Sequence, residues 1–63
     1  MEELGFKRKD RNNVEVWKNN INERIIFDET TKGVEFRDEI GDSFPISREL
    51  LLAVADYMAN KGW

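Results

Sequence analysis

The chain has no cysteine, no histidine, one proline and no long apolar run, and each shortage removes a class of protein. Without cysteine there is no disulfide framework and no thiolate metal site. Without histidine the commonest metal ligand and general base are gone, so no cofactor, no metal and no enzymatic activity are expected. The longest apolar stretch, Leu50 to Ala55, covers six residues, against the ~20 that span a bilayer. No membrane association is expected. The opening Met1-Glu-Glu-Leu-Gly-Phe6 lacks a basic region followed by an apolar one, so it does not read as a secretory signal and a cytoplasmic location is predicted.

What remains is 63 residues that are 40% hydrophobic, 11% aromatic and 37% charged, with a net charge of −3. This composition favours a folded domain over disorder, and the length allows one domain, residues 1–63, with a thin core. Self-association is a common route to stability for so small a chain.

The C-terminal third carries helix signals at both ends. Ser47 is placed as N-cap after Pro45, and Ile46 and Leu51 have the spacing of a hydrophobic staple. Glu49 falls in the first turn, where the helix dipole favours negative charge. Gly62 is placed for the left-handed conformation just past Lys61, which lets Trp63 fold back on Met58 and predicts a helix over about 48–61. At 100° per residue Leu50, Leu51, Val54, Tyr57 and Met58 share an arc that should be buried. Leu52, with Ala55 and Ala59 nearby, is left on a small apolar edge.

Upstream the period changes to two. Residues 14–18, 24–28 and 34–38 are β-branched or aromatic segments separated by turn residues, and read as strands. Gly33 is expected to supply the positive φ that closes the second hairpin. Pairing Phe27 with Phe36 and Val16 with Ile25 places Val14, Val16, Ile25, Phe27, Val34 and Phe36 on one face, for the helix to cover. The other face then carries Glu15, Trp17, Arg24, Ile26, Glu35 and Arg37. The asparagine loop between the first two strands does not fix their register, and a slip of one residue turns Trp17 inward. The outward placement is the expectation. Residues 6–9 are either a lysine-rich edge strand or a frayed basic arm, and Ile40, Phe44 and Ile46 are expected to close the open end of the core. The fold class is α+β: a three-stranded antiparallel meander, four-stranded if residues 6–9 pair, against one C-terminal helix.

Three constellations invite a functional reading. Asp38, Glu39 and Asp42 gather near Gly41 without the ligand spacing of a calcium loop, and read as a solvated acidic bend. Trp17 with Arg24, Ile26 and Arg37 has the composition of a protein-binding hot spot with a polar rim. Leu52, Ala55 and Ala59 form a second protein-binding candidate, where small residues permit close helix approach in a homodimer. The run Lys7, Arg8, Lys9 and Arg11, with Trp17 as a stacking platform, is the alternative: a nucleic-acid surface on the open sheet face. Net charge and the carboxylates Glu15 and Glu35 weigh against that alternative. A non-enzymatic protein-interaction module is the leading expectation.

The phrases LGFKRKD, ERIIFDETTKGVEF, FPISRELLLAV and KGW resemble small phage and prophage proteins of low-GC Gram-positive bacteria, across nearly the whole chain. That resemblance implies a bacterial cytoplasm and an accessory protein that binds, and in some cases modulates, a host or phage protein. It carries no catalytic residues.

Overall fold

In the computed structural model, which describes all 63 residues, a 3-10 turn over Glu2–Leu4 ends at Gly5, whose φ of 88° is left-handed. The turn delivers Phe6 into the interior. Strands β1 (Lys7–Arg8), β2 (Glu15–Lys18), β3 (Arg24–Asp28) and β4 (Gly33–Arg37) follow, then helix α1 (Arg48–Asn60). Each strand pairs antiparallel with its sequence neighbour, in the order β1-β2-β3-β4. The α+β meander is therefore four-stranded, and the N-terminal basic run supplies an edge strand instead of a frayed arm.

The register of β2 on β3 differs from expectation by one residue. Trp17 lies opposite Ile25 and Val16 opposite Ile26. Period-two alternation then turns Glu15 and Trp17 inward and Val16 outward; Trp17 is 8% exposed, whereas Val14 is left exposed. The cause is area. A buried tryptophan removes about 150–250 Å² from water, worth roughly 4–6 kcal/mol, while a valine in the same place is worth about 1.5–3 kcal/mol. The expected inner positions of Ile25, Phe27, Val34 and Phe36 hold, although Phe36 stands opposite Ile25 and Val34 opposite Phe27.

Local chemistry sets the loops. Asn19 Oδ1 accepts from the backbone N–H of Ile21 and of Glu23, while Asn22 takes the positive φ of 66°. In the next hairpin Asp28 Oδ1 accepts from Thr30 N–H at 2.8 Å. The left-handed residue there is Lys32, with φ of 55°, and not Gly33, which already belongs to β4. At the acidic bend Asp38 Oδ1 accepts from the N–H groups of Ile40 and Asp42, so this carboxylate closes a turn.

Helix α1 begins where predicted, with Ser47 Oγ accepting from Leu50 N–H at 3.1 Å. It ends in a Schellman arrangement: Trp63 N–H donates to Met58 O, Gly62 N–H donates to Ala59 O, and Gly62 has a φ of 83°. Leu50 and Val54 are buried, and Tyr57 and Met58 half-buried. They close over a core of Phe6, Trp17, Ile25, Phe27 and Phe44. Leu51 departs from expectation at 55% exposed. Its direction lies about 75° from the centre of the buried arc, at its margin. Ile46 is likewise exposed, so no staple is buried, and Ile40 is 82% exposed. Only Phe44 of the expected trio closes the core, its ring edge-on to Phe36 at 5.9 Å.

Candidate functional site: the open sheet face

The helix covers one face of the sheet and leaves the other open. Following the register across all four strands, Lys7 stands opposite Lys18, Lys18 opposite Arg24, and Arg24 opposite Arg37. One cation from each strand therefore falls in a single row, all on the open face. A second row runs beside it. Lys9 N–H bonds to Val16 O at 2.7 Å, Val16 pairs with Ile26, and Ile26 with Glu35. Arg11 and Val14 continue the face through an isolated bridge. Over the second row and the Arg11–Val14 bridge lies a shallow hollow of 590 Å³, lined by Lys9, Arg11, Val14, Val16, Lys18, Arg24 and Ile26 together with Asp10 and Asn12.

The row is partly anchored. Arg24 Nη2 donates to Asp38 O at 3.0 Å, while its Nε is buried without an acceptor. Arg37 donates to Gly41 O and lies 3.6 Å from Glu35. Lys7, Lys9, Arg11 and Lys18 are exposed and make no ion pair within 4.0 Å. Two carboxylates adjoin the row: Glu35 on Arg37, and Glu39, which accepts from Asn22 at 3.4 Å and shares a surface hollow with Lys18 and Arg24.

The sequence-predicted sets are redistributed by this geometry. Arg24, Ile26 and Arg37 share the open face as expected, but Trp17 does not join them, because it is part of the core. Trp17 therefore offers neither a hot spot nor a base-stacking platform. The basic run also divides. Arg8 pairs with Trp17 and so belongs to the inner side, where its guanidinium meets Asp10 at 2.9 Å and Glu15 at 3.8 Å. That leaves Lys7, Lys9 and Arg11 on the open face. Lys18, absent from both predicted sets, completes the row; a correct register for the first hairpin would have found it.

Glu15, expected among the open-face charges, is instead the one buried charged residue. Its carboxylate accepts from Trp17 Nε1 at 2.8 Å, from the Tyr57 hydroxyl and from the Lys61 ammonium. Burial pushes this carboxyl upward, but the hydrogen bonds from Lys61, Tyr57 and Trp17 outweigh it and hold the group below the ordinary glutamate range. Burial and the bond to Glu15 raise Tyr57 in turn, and the bond to Glu15 raises Lys61. The cluster ties β2 to the C-terminal end of α1. It also removes one of the two carboxylates that were to oppose phosphate on the open face.

On the far side of the molecule Leu52, Ala55 and Ala59 are exposed as expected, and Leu51 joins them. No helix is long and apolar enough to cross a membrane, and no group of acidic side chains is arranged to hold a metal ion. Comparison with family models, with curated proteins and with solved structures gives no match.

Proposed function

We propose that this protein is a non-enzymatic binding module whose working surface is the open sheet face and whose ligand is an anionic macromolecule. The observation that carries this reading is the row of Lys7, Lys18, Arg24 and Arg37. Like charges directly opposite one another weaken a sheet, by up to about 1 kcal/mol for each pair. Burial of Trp17 accounts for one of these juxtapositions, since it sets the register that brings Lys18 to Arg24. Arg37 is held by Gly41 O and Glu35 and Lys7 suits an edge strand, but neither role requires the two to stand in one line with Lys18 and Arg24. An anion laid across the row relieves the repulsion, and the unpaired ammonium groups of Lys7 and Lys18 are free to meet it. The chain's net charge of −3 weighs against this, since only Glu49 and Asp56 of its thirteen acids lie on α1, so the row is a local positive strip and not part of a basic surface.

The test is retention on a heparin matrix at low salt, comparing wild type with Lys18→Glu/Arg37→Glu and checking the fold of both by circular dichroism. Wild type should be retained and the folded double variant should not. A wild type that binds neither heparin nor any other polyanion removes the reading.

A second reading rests on the helix edge, where Leu51 and Leu52 are each 55% exposed beside Ala55 and Ala59. Apolar surface of that kind suits a protein contact. In the phage setting implied by the sequence resemblance, the partner is a host or phage protein in a bacterial cytoplasm, or a second copy of the chain. Sedimentation of wild type and Leu52→Glu over a range of concentrations checks the second copy: equal monomer masses for both exclude a homodimer.

A further inference from the structure

Resting on the reading of the open face as an anion-binding surface, we infer that the anion is the phosphodiester backbone of a nucleic-acid duplex, gripped without regard to base sequence. Three observations favour it: one over an acidic protein, one over a single strand, and one for a grip indifferent to sequence.

The first is spacing. Strands in a sheet lie about 4.8 Å apart, so four cations on successive strands span roughly 14 Å. A duplex carries one negative charge for every ~1.7 Å of axis with both strands counted, wound around that axis, so fixed negative charge faces the row along its length without a one-to-one register. The row and the backbone therefore match in sign and in the regularity of their charge. A flexible acidic peptide offers no such fixed repeat.

The second is what the face lacks. With Trp17 in the core, no aromatic side chain belongs to either row, which are composed of Lys7, Lys18, Arg24 and Arg37 and of Lys9, Val16, Ile26 and Glu35. Single-strand binders hold bases on aromatic platforms. This face has charge without a platform, which suits a backbone whose bases are already stacked on each other.

The third is the shape of the charge. Lys9 and Arg11 extend the positive surface along the hollow, on the side away from Arg37, while Glu35 lies at the Arg37 end and Glu39 flanks the row beside Lys18 and Arg24. The patch is thus polarised. Contacts of Lys and Arg to phosphate position a protein on a duplex but carry no sequence information, so binding should be indifferent to base order.

The experiment is fluorescence anisotropy with two labelled 20-base-pair duplexes of unrelated sequence and one 20-nucleotide single strand, with heparin and poly-glutamate as competitors, over a series of salt concentrations. Four phosphate contacts give a slope of log K against log salt of about −3.6, and Lys9 and Arg11 steepen it toward −5. Affinity should therefore fall ~10²-fold or more between 50 and 200 mM salt. The two duplexes should bind within about threefold of each other, and the single strand no more tightly. Lys7→Gln and Lys18→Gln, both at exposed positions, should each reduce the slope by about 0.9 with the fold intact. Arg8→Gln, on the inner side, should leave it unchanged. Binding to heparin or poly-glutamate with none to the duplexes overturns this inference and leaves the anion-binding reading standing. Absence of binding to every polyanion overturns both. A preference of more than about tenfold for one duplex sequence, or for the single strand, overturns the sequence-neutral backbone mode.

Discussion

Replacing Glu15 by glutamine should lower the unfolding free energy by about 2 kcal/mol at neutral pH, because hydrogen bonds to a charged group are each worth roughly 1.5–3 kcal/mol. Glutamine keeps one acceptor oxygen for Trp17 Nε1 or the Tyr57 hydroxyl. Its amide N–H groups, however, face the Lys61 ammonium, which is only 19% exposed and loses its anion. Alanine removes every acceptor, and should cost about 4 kcal/mol, as breaking a buried ion pair does elsewhere. The whole domain holds roughly 3–9 kcal/mol at typical values per residue, so the alanine substitution removes a large share of the stability. Urea unfolding followed by tryptophan fluorescence measures both. The pH profile supplies an internal control. The folded Glu15 carboxyl is lowered, so its stabilisation is present above the ordinary glutamate value of 4.5 and is lost as pH falls through the folded value. Tyr57 is raised, so its contribution is present below its ordinary value of 10.0 and is lost as pH rises through the folded value, and Lys61 behaves likewise above 10.5. Glutamine at 15 should flatten the acid limb. A change below about 0.5 kcal/mol, the range of ordinary surface substitutions, or an acid limb unchanged in the glutamine variant, refutes the role given to this cluster.

Other expectations follow from the fold. Val16→Glu should be tolerated within about 1 kcal/mol whereas Trp17→Glu should abolish cooperative unfolding, since only the latter buries an unpaired charge; the opposite pattern in thermal melts places the register of β2 in error. Ser47→Ala should cost about 1 kcal/mol by removing the acceptor for Leu50 N–H, read as a shift in the urea midpoint with an unchanged slope. Gly62→Ala meets no atom within 4 Å, so its cost is the left-handed backbone alone, about 1–2 kcal/mol; a melting temperature equal to wild type contradicts the Schellman ending.

The helix and the strands were legible because their signals are local: Ser47 and Gly62 fix the ends of α1, and the β-branched runs fix the strands to within a residue or so. The register of β2 was not. It is set across the molecule, by how well Trp17 fills the space under Tyr57, whose ring it meets edge-on at 5.6 Å. Local electrostatics favoured the wrong answer, since the expected register also sets Lys18 against Glu23, and an attractive cross-strand pair is worth less than about 1 kcal/mol. One residue of slip exchanges faces for the whole strand, so the candidate site changed with it: Trp17 and Glu15 left the open face and Val16 entered it. Leu51 was misplaced for a related reason, since a helical wheel gives direction but not where the buried arc ends. Lys32 in the left-handed conformation had no sequence signal stronger than the glycine beside it.

The neighbour-to-neighbour strand order bears on how the chain folds in time. Every strand pairing joins consecutive segments, so the sheet can zip from hairpins that close quickly. The contacts from Tyr57 and Lys61 to Glu15 bridge 42 and 46 positions of sequence. They close a loop that spans most of the chain, and the entropy of that closure is spent only when α1 docks. Substitutions at Glu15 should therefore act chiefly on the unfolding rate, leaving the folding rate nearly that of wild type. The same carboxylate that fastens the helix is then the clasp that opens first.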